Sequence, residues 1–144
     1  MDVREYRKNG YLISTDKARL NLALIHRYLS EESYWAAGRR RDTVSRSIEH
    51  SMCFGVYEEE GEQVGFARVV TDYATFAWLC DVFVLSPYQG KGLGKWLVRT
   101  VVEYPDLQGV KRILLGTRDA HTLYRAFGFE DSKAGRWMER PMAP

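Results

Sequence analysis

Three glycines at alternate positions, Gly90, Gly92 and Gly94, stand where an apolar run, Val82-Phe83-Val84-Leu85, gives way to Leu93-Gly94-Lys95-Trp96-Leu97, the start of an amphipathic helix. Glycine has no Cβ, so its backbone N–H can approach a bulky polar group closely. A helix start adds free N–H donors and the positive end of the helix dipole. Together they form a cradle for an anion, most often a phosphate or pyrophosphate. Lys91 and Lys95 add positive charge at the same place. A tight strand-to-helix turn without a ligand has the same spacing. The Walker loop is excluded, because Gly-x-x-x-x-Gly-Lys-Ser/Thr is absent. The dinucleotide fingerprint is excluded too, because no acidic residue closes a second strand about 20 residues on.

One further residue stands out. Asp81 interrupts Trp78-Leu79-Cys80 and Val82-Phe83-Val84. A charge inside an apolar strand is costly unless it is paired or hydrated.

The elements that position these residues are legible from periodicity and punctuation. Tyr11-Leu12-Ile13-Ser14 reads as a first strand. Thr15 or Asp16 can cap a helix carrying Leu20, Leu24, Ile25 and Leu29. Thr43 to Glu49 reads as a second short helix, after an aromatic segment at Ser33 to Gly38. Met52 to Tyr57 and Val64 to Val70 form a hairpin around a solvated acidic tip, and Phe76 to Leu85 is a strand buried on both faces. The helix after the glycines buries Leu93, Trp96, Leu97, Thr100 and Val101, and Tyr104-Pro105 ends it. Ile113-Leu114-Leu115 is another strand, Asp119 caps a last helix, and Gly128 suits its C′ position. From Phe129 on, with Arg136-Trp137-Met138, closing strands are expected. The order β-α-α-β-β-β-α-β-α-β predicts an α/β fold on a mixed sheet.

At 144 residues the chain is expected to be a single domain spanning 1–144. Hydrophobic residues make up 45% and charged residues 28%, the balance of a soluble globular protein. No apolar run approaches membrane-spanning length, and Met1 to Lys8 is too charged for a signal peptide, so the cytoplasm is the default. Cys53 and Cys80 lack disulfide or metal spacing with each other or with His26, His50 and His121. No metal is expected. A net charge of +2 is too small to argue for nucleic acid. Arg39-Arg40-Arg41 is either a solvated loop or a contact for an acidic partner or a cofactor phosphate.

Gln89-Gly90-Lys91-Gly92-Leu93-Gly94 resembles the acetyl-CoA motif of the GNAT N-acetyltransferases, Gln/Arg-x-x-Gly-x-Gly/Ala, and it follows that family's Val-x-x-Pro as Val84-Leu85-Ser86-Pro87. Downstream, Thr117 to Phe129 resembles the pattern Asn-x-x-Ala-x-x-Leu-Tyr-x-x-x-Gly-Phe, through Ala120, Leu123, Tyr124, Gly128 and Phe129. Thr117 stands where Asn is commonest. The resemblance covers roughly residues 50–140.

It implies a GNAT fold, with strands 76–85 and 110–117 splaying apart to admit acetyl-CoA. It also implies transfer of an acetyl group to a primary amine of a small molecule or peptide. Gln89, Gly90, Lys91, Gly92, Leu93, Gly94 and Lys95 would hold the pyrophosphate. Val84, with Val82 and Phe83 on the same strand, would present the backbone N–H that polarises the thioester, and Thr117 would be a further contact. Tyr124 matches the tyrosine that usually protonates the departing thiolate; a packing tyrosine is the alternative.

Asp81 is similar to one member of an acidic pair in the family's polyamine acetyltransferases, although Cys80 replaces the other. It is a base or amine-binding group, or else a structural acceptor for backbone N–H groups or an arginine. Tyr34, Trp35, Arg68, Asp72, Tyr73 and Trp78 are candidates for the acceptor side, where aromatic rings cover a cationic amine. No nucleic-acid or membrane partner is expected, and a homodimer stays open. A non-catalytic acyl-CoA-binding or sensing domain on the same fold is the other reading.

Overall fold

The computed structural model describes residues 2–142. Six strands form one mixed sheet in sequence order: β1 (Glu5–Lys8), β2 (Tyr11–Ser14), β3 (Met52–Glu58), β4 (Gln63–Thr71), β5 (Ala77–Val84) and β6 (Ile113–Leu114). The first four pairings are antiparallel and β5–β6 is parallel. Among the described residues four α-helices flank the sheet: α1 (Leu22–Arg27), α2 (Arg41–Glu49), α3 (Leu93–Val102) and α4 (His121–Arg125). No helix among the described residues is long and apolar enough to cross a membrane.

Alternation along the strands divides the core in two. Met52, Phe54 and Val56 face α3, whose Leu93, Leu97, Val98 and Val101 are buried against them. Burying Leu97, Val98 and Val101 contributes about 1.5–3 kcal/mol each. Cys53, Phe66 and Phe83 face the other way, onto Leu24, Ile25 and Leu29 and onto Val44 of α2.

Four local expectations change. β1 pairs with β2 through a turn at Asn9-Gly10, both with positive φ (51° and 82°), as a two-residue hairpin turn demands. The first helix begins at Asn21, whose side chain accepts from Leu24 N–H. Asp16 instead caps a 3-10 turn at Lys17–Arg19, because Leu20 is extended. Asp119 does not cap α4; the Thr117 hydroxyl accepts the Ala120 N–H at 3.0 Å. No strand follows Phe129 among the described residues. There the apolar Trp137 and Met138 are adjacent rather than alternating, Gly135 turns the chain at φ 77°, and Met138 is 99% exposed.

Candidate active site

The site starts from a mismatch of strand lengths. β5 pairs with β6 only at Ala77–Ile113 and Trp78–Leu114, then runs on to Val84 without it. Leu85 N–H donates to Val64 O at 2.8 Å, which puts its backbone on the β4 side. Alternation therefore points the backbone N–H of Val84 into the gap, while Val82, in the bulge described below, lines it. The Val84 carbonyl accepts from Gln89 Nε2 at 2.8 Å, tying the loop after β5 to the gap. Phe83 lies away from it. Its backbone faces β4, and its ring stacks on Tyr28 with centroids 4.0 Å apart.

The glycine loop lies at the end of β5. Gly92 is the N-cap of α3 with φ 82°, and it supplies no side-chain cap, so the first-turn N–H groups are left to water or a ligand. A Cβ added at Gly90, Gly92 or Gly94 would meet nothing within 4 Å. The loop thus has both the donors and the space that a pyrophosphate needs. Lys91 and Lys95 are exposed beside it, while the Leu93 side chain is buried in the core and only its N–H is on offer.

A cavity of about 390 Å³ fills the gap. Tyr34, Trp35, Arg68, Trp78, Asp81, Val82, Thr117 and Tyr124 line it, together with Arg39 and Cys80. Asp72 does not. It sits in the β4–β5 turn, where its carboxylate accepts from the Thr75 hydroxyl and from the N–H groups of Thr75 and Ala74. The Thr75 hydroxyl, with those N–H groups, holds its carboxyl well below the usual carboxylate range. Tyr73, with φ 61°, lies in the same turn. A second cavity of about 570 Å³ lies on the far side of β6. It shares Trp78, Thr117 and Tyr124 with the first and has His121 in its wall.

A bulge aims Asp81. Phe66 pairs with Phe83 and Arg68 with Cys80, so Ala67 alone opposes Asp81 and Val82. Asp81 adopts φ 53°, a left-handed conformation that Asp tolerates better than most residues. The residue is only 4% exposed and its carboxylate is fully engaged. Oδ1 accepts from Trp35 Nε1 at 2.9 Å. Oδ2 accepts from Arg39 Nη1 and Arg68 Nε, each at 2.9 Å. Arg68 Nη1 also donates to the Ser51 hydroxyl at 3.0 Å. Arg39 was not among the expected site residues. Its signal was present as the first residue of the Arg39-Arg40-Arg41 run, and a lone strand carboxylate needs such a partner. The run divides its labour, since Arg40 pairs with Asp42 and Arg41 opens α2.

Tyr124 is buried on α4 with its ring edge-on to Phe129, centroids 5.6 Å apart. Burial, and then the neighbouring Tyr34, push its phenol up to about 12. It is a neutral donor at any physiological pH. Cys80 is free, and burial pushes its thiol up to about 11, so it is not a ready nucleophile. Cys53 is also free and lies in the core. Tyr34 roofs the cavity. Its hydroxyl accepts the Arg118 N–H at 2.8 Å, and the Arg118 guanidinium lies 3.8 Å from its ring centroid.

Known proteins resemble this chain over most of its length. Residues 22–129 match the acetyltransferase (GNAT) family model. A candidate acetyltransferase of Gibberella zeae is 33% identical over 150 residues, covering 89% of this chain and 84% of its own length. A crystal structure of a candidate GNAT acetyltransferase from Xanthomonas campestris pv. campestris superposes with a TM-score of 0.88 at 46% identity, covering 93% of this chain and 94% of that one. A candidate spermine N(1)-acetyltransferase of Bacillus subtilis subsp. natto is 35% identical over 92 residues, 53% of this chain and 57% of that protein. The chain belongs to the GNAT acetyltransferase family, whose members use acetyl-CoA as co-substrate.

Proposed function

We propose that this protein transfers an acetyl group from acetyl-CoA to a primary amine of a small molecule or peptide by direct attack, with Tyr124 as general acid. The observation that carries this reading is convergence. Val82 of β5 and Tyr124 of α4 line one cavity, and the chain leaves β5 two residues later through Val84, whose carbonyl is tied to the glycine loop by Gln89. Acetyl-CoA supplies a thioester whose carbonyl carbon is open to a neutral amine. The glycine loop and the first turn of α3 hold the pyrophosphate, and Gln89 fixes the loop to β5. The Val84 N–H polarises the carbonyl. As the amine nitrogen bonds to the carbonyl carbon and the C–S bond breaks, Tyr124 gives its proton to the departing sulfur, and the proton of the new ammonium passes to water, which returns one to the Tyr124 phenolate. Asp81, held by three donors, acts as a positioning residue for Trp35, Arg39 and Arg68.

Release of free thiol from acetyl-CoA on adding an amine tests this function. Acetyl-CoA binding without release would favour the non-catalytic acyl-CoA-binding reading. The same assay carries a pH test. The attacking amine must be neutral, so kcat/KM rises as pH approaches the amine pKa. Tyr124 acts in its protonated form, and its raised pKa keeps that form to about pH 12. The profile is therefore expected to show no alkaline fall up to about pH 10, the pKa at which an ordinary tyrosine ionises. A fall centred below pH 9 would remove Tyr124 from the acid's role.

The cofactor site has its own test. Gly94 lies in the first turn of α3 with open space where a Cβ would go. Gly94→Ala is expected to bind acetyl-CoA nearly as well as the parent and to melt slightly higher, since Ala favours the helix by about 1 kcal/mol. Gly94→Val places a branched side chain against the pyrophosphate path and is expected to lose at least about tenfold in affinity, or ~1.4 kcal/mol. Calorimetry on both variants checks this; unchanged binding in Gly94→Val would move the pyrophosphate elsewhere.

A further inference from the structure

The acceptor wall of the cavity carries more positive charge than its one buried carboxylate can balance. Arg39 and Arg68 both point their guanidiniums at Asp81 Oδ2. Asp119, the other acid of the lining, is exposed at the start of the α4 turn. Two guanidiniums against one carboxylate leave a positive charge in excess within a partly desolvated space. Their donors are also not used up. A guanidinium has five N–H groups in a planar fork. Among the described residues, Arg68 spends one on Asp81 and one on Ser51, and Arg39 spends one on Asp81. Neither guanidinium is among the described buried groups left without a partner. Their remaining N–H groups are therefore accessible, and both side chains line this cavity, Arg39 standing also at the edge of a surface cavity beside α2.

From this we infer that the acceptor carries an anionic group, a carboxylate, close to the amine that is acetylated, and that Arg39 and Arg68 bind it. The acceptor class is then an amino acid or a short peptide with a free carboxylate. The inference rests on the acetyltransferase reading and names the substrate of the same site. A guanidinium fork matches a carboxylate in two parallel hydrogen bonds, which an ammonium group cannot make. Asp81 locks both arginines and the Trp35 indole in place, so the fork is set before the acceptor arrives. Tyr34, Trp35 and Trp78 supply apolar walls for the acceptor's carbon skeleton. A polyamine, by contrast, would meet a carboxylate already paired twice and a surplus of its own charge. Asp81 thus sits where an amine-binding acid is expected, yet is committed to the opposite specificity.

The test compares matched acceptors. The full-length protein is assayed for thiol release from acetyl-CoA with a panel of amino acids, each beside the amine left by its decarboxylation, with spermidine and 2-aminoethylphosphonate added. Binding of the same compounds in the presence of CoA is measured by calorimetry, independently of turnover. At least one amino acid is expected to exceed its decarboxylated partner by tenfold or more in kcat/KM and in affinity, and to exceed spermidine. If the phosphonate leads instead, the bound anion is a phosphoryl group and the carboxylate assignment is overturned. Arg39→Gln should bring the ratio between amino acid and amine at least tenfold closer to one, chiefly through KM, and Arg39→Lys should restore part of it. Melting temperatures recorded on both variants separate this from misfolding. A panel in which decarboxylated amines or spermidine lead, or in which no carboxylate compound binds, overturns the inference. If carboxylate compounds bind but no acceptor releases thiol, the fault lies with the catalytic reading and not with the anion site.

Discussion

Tyr124→Phe is expected to lower turnover about 100-fold while changing acetyl-CoA affinity by less than about twofold. The substitution removes one oxygen. The ring keeps its edge-on contact with Phe129 and its place in the core. No hydrogen bond to the Tyr124 hydroxyl exists among the described residues, so its loss leaves no buried partner unsatisfied, and the melting temperature should hold. What disappears is a neutral phenol facing the cavity, the only side chain there proposed to deliver a proton to sulfur. Single-turnover measurements, which isolate the chemical step from product release, check the size of the effect. Parent-like single-turnover rates would reduce Tyr124 to packing.

Asp81→Asn should be the most destabilising single-atom-scale change in the site. Asn tolerates the left-handed φ of 53° as well as Asp does, so the bulge itself is not disturbed. The charge is. Removing one partner of a buried ion pair costs about 3 kcal/mol or more, and here two guanidiniums lose a common counter-ion at 2.9 Å. For a chain of this size each kcal/mol moves the melting point by roughly 3–4 °C, so a fall of about 10 °C is expected in a thermal scan. The competing role, a base for the incoming amine, makes a different forecast. It requires a near-parent melting point, a loss of turnover and a steeper dependence of rate on pH. Both readouts on one variant decide between them, and a melting point within 2 °C or so of the parent would remove Asp81 from the positioning role.

The parts of the site set by backbone chemistry were legible in the sequence. Alternate glycines before an amphipathic helix mark a loop with spare donors, and a long apolar run marks a central strand, although Phe76 and Trp78 stay exposed where the run predicts full burial of both faces. Positions set by pairings between distant segments were not. The Asp81–Arg39 and Arg118–Tyr34 contacts join residues 42 and 84 positions apart, and periodicity carries no trace of such pairings. Asp72 misled because a turn acid and a cleft acid look alike before the turn is built. Asn9-Gly10 is a local hairpin signal, and Phe83 reads as a gap residue until the register of β5 on β4 turns its backbone to β4. The bulge at Asp81, which breaks that alternation, has no sequence marker except the oddity of the acid itself.

The shortness of β6 has a mechanical consequence. Four antiparallel ladders bind β1 to β5 into a stiff plate, while α4 and Tyr124 hang from a parallel ladder of two residue pairs. The two jaws of the cleft are joined at one end by that short seam and at the other by the Tyr34–Arg118 clasp. Such a jaw is compliant: few backbone bonds resist its opening, so local fluctuation there is cheap compared with the plate. The Tyr34–Arg118 clasp therefore spans the opening as a side-chain fastening, with Tyr124 on the side of the cleft beyond the short seam. Under the proposed mechanism, the reach from Tyr124 to the departing sulfur depends on how firmly that clasp is shut.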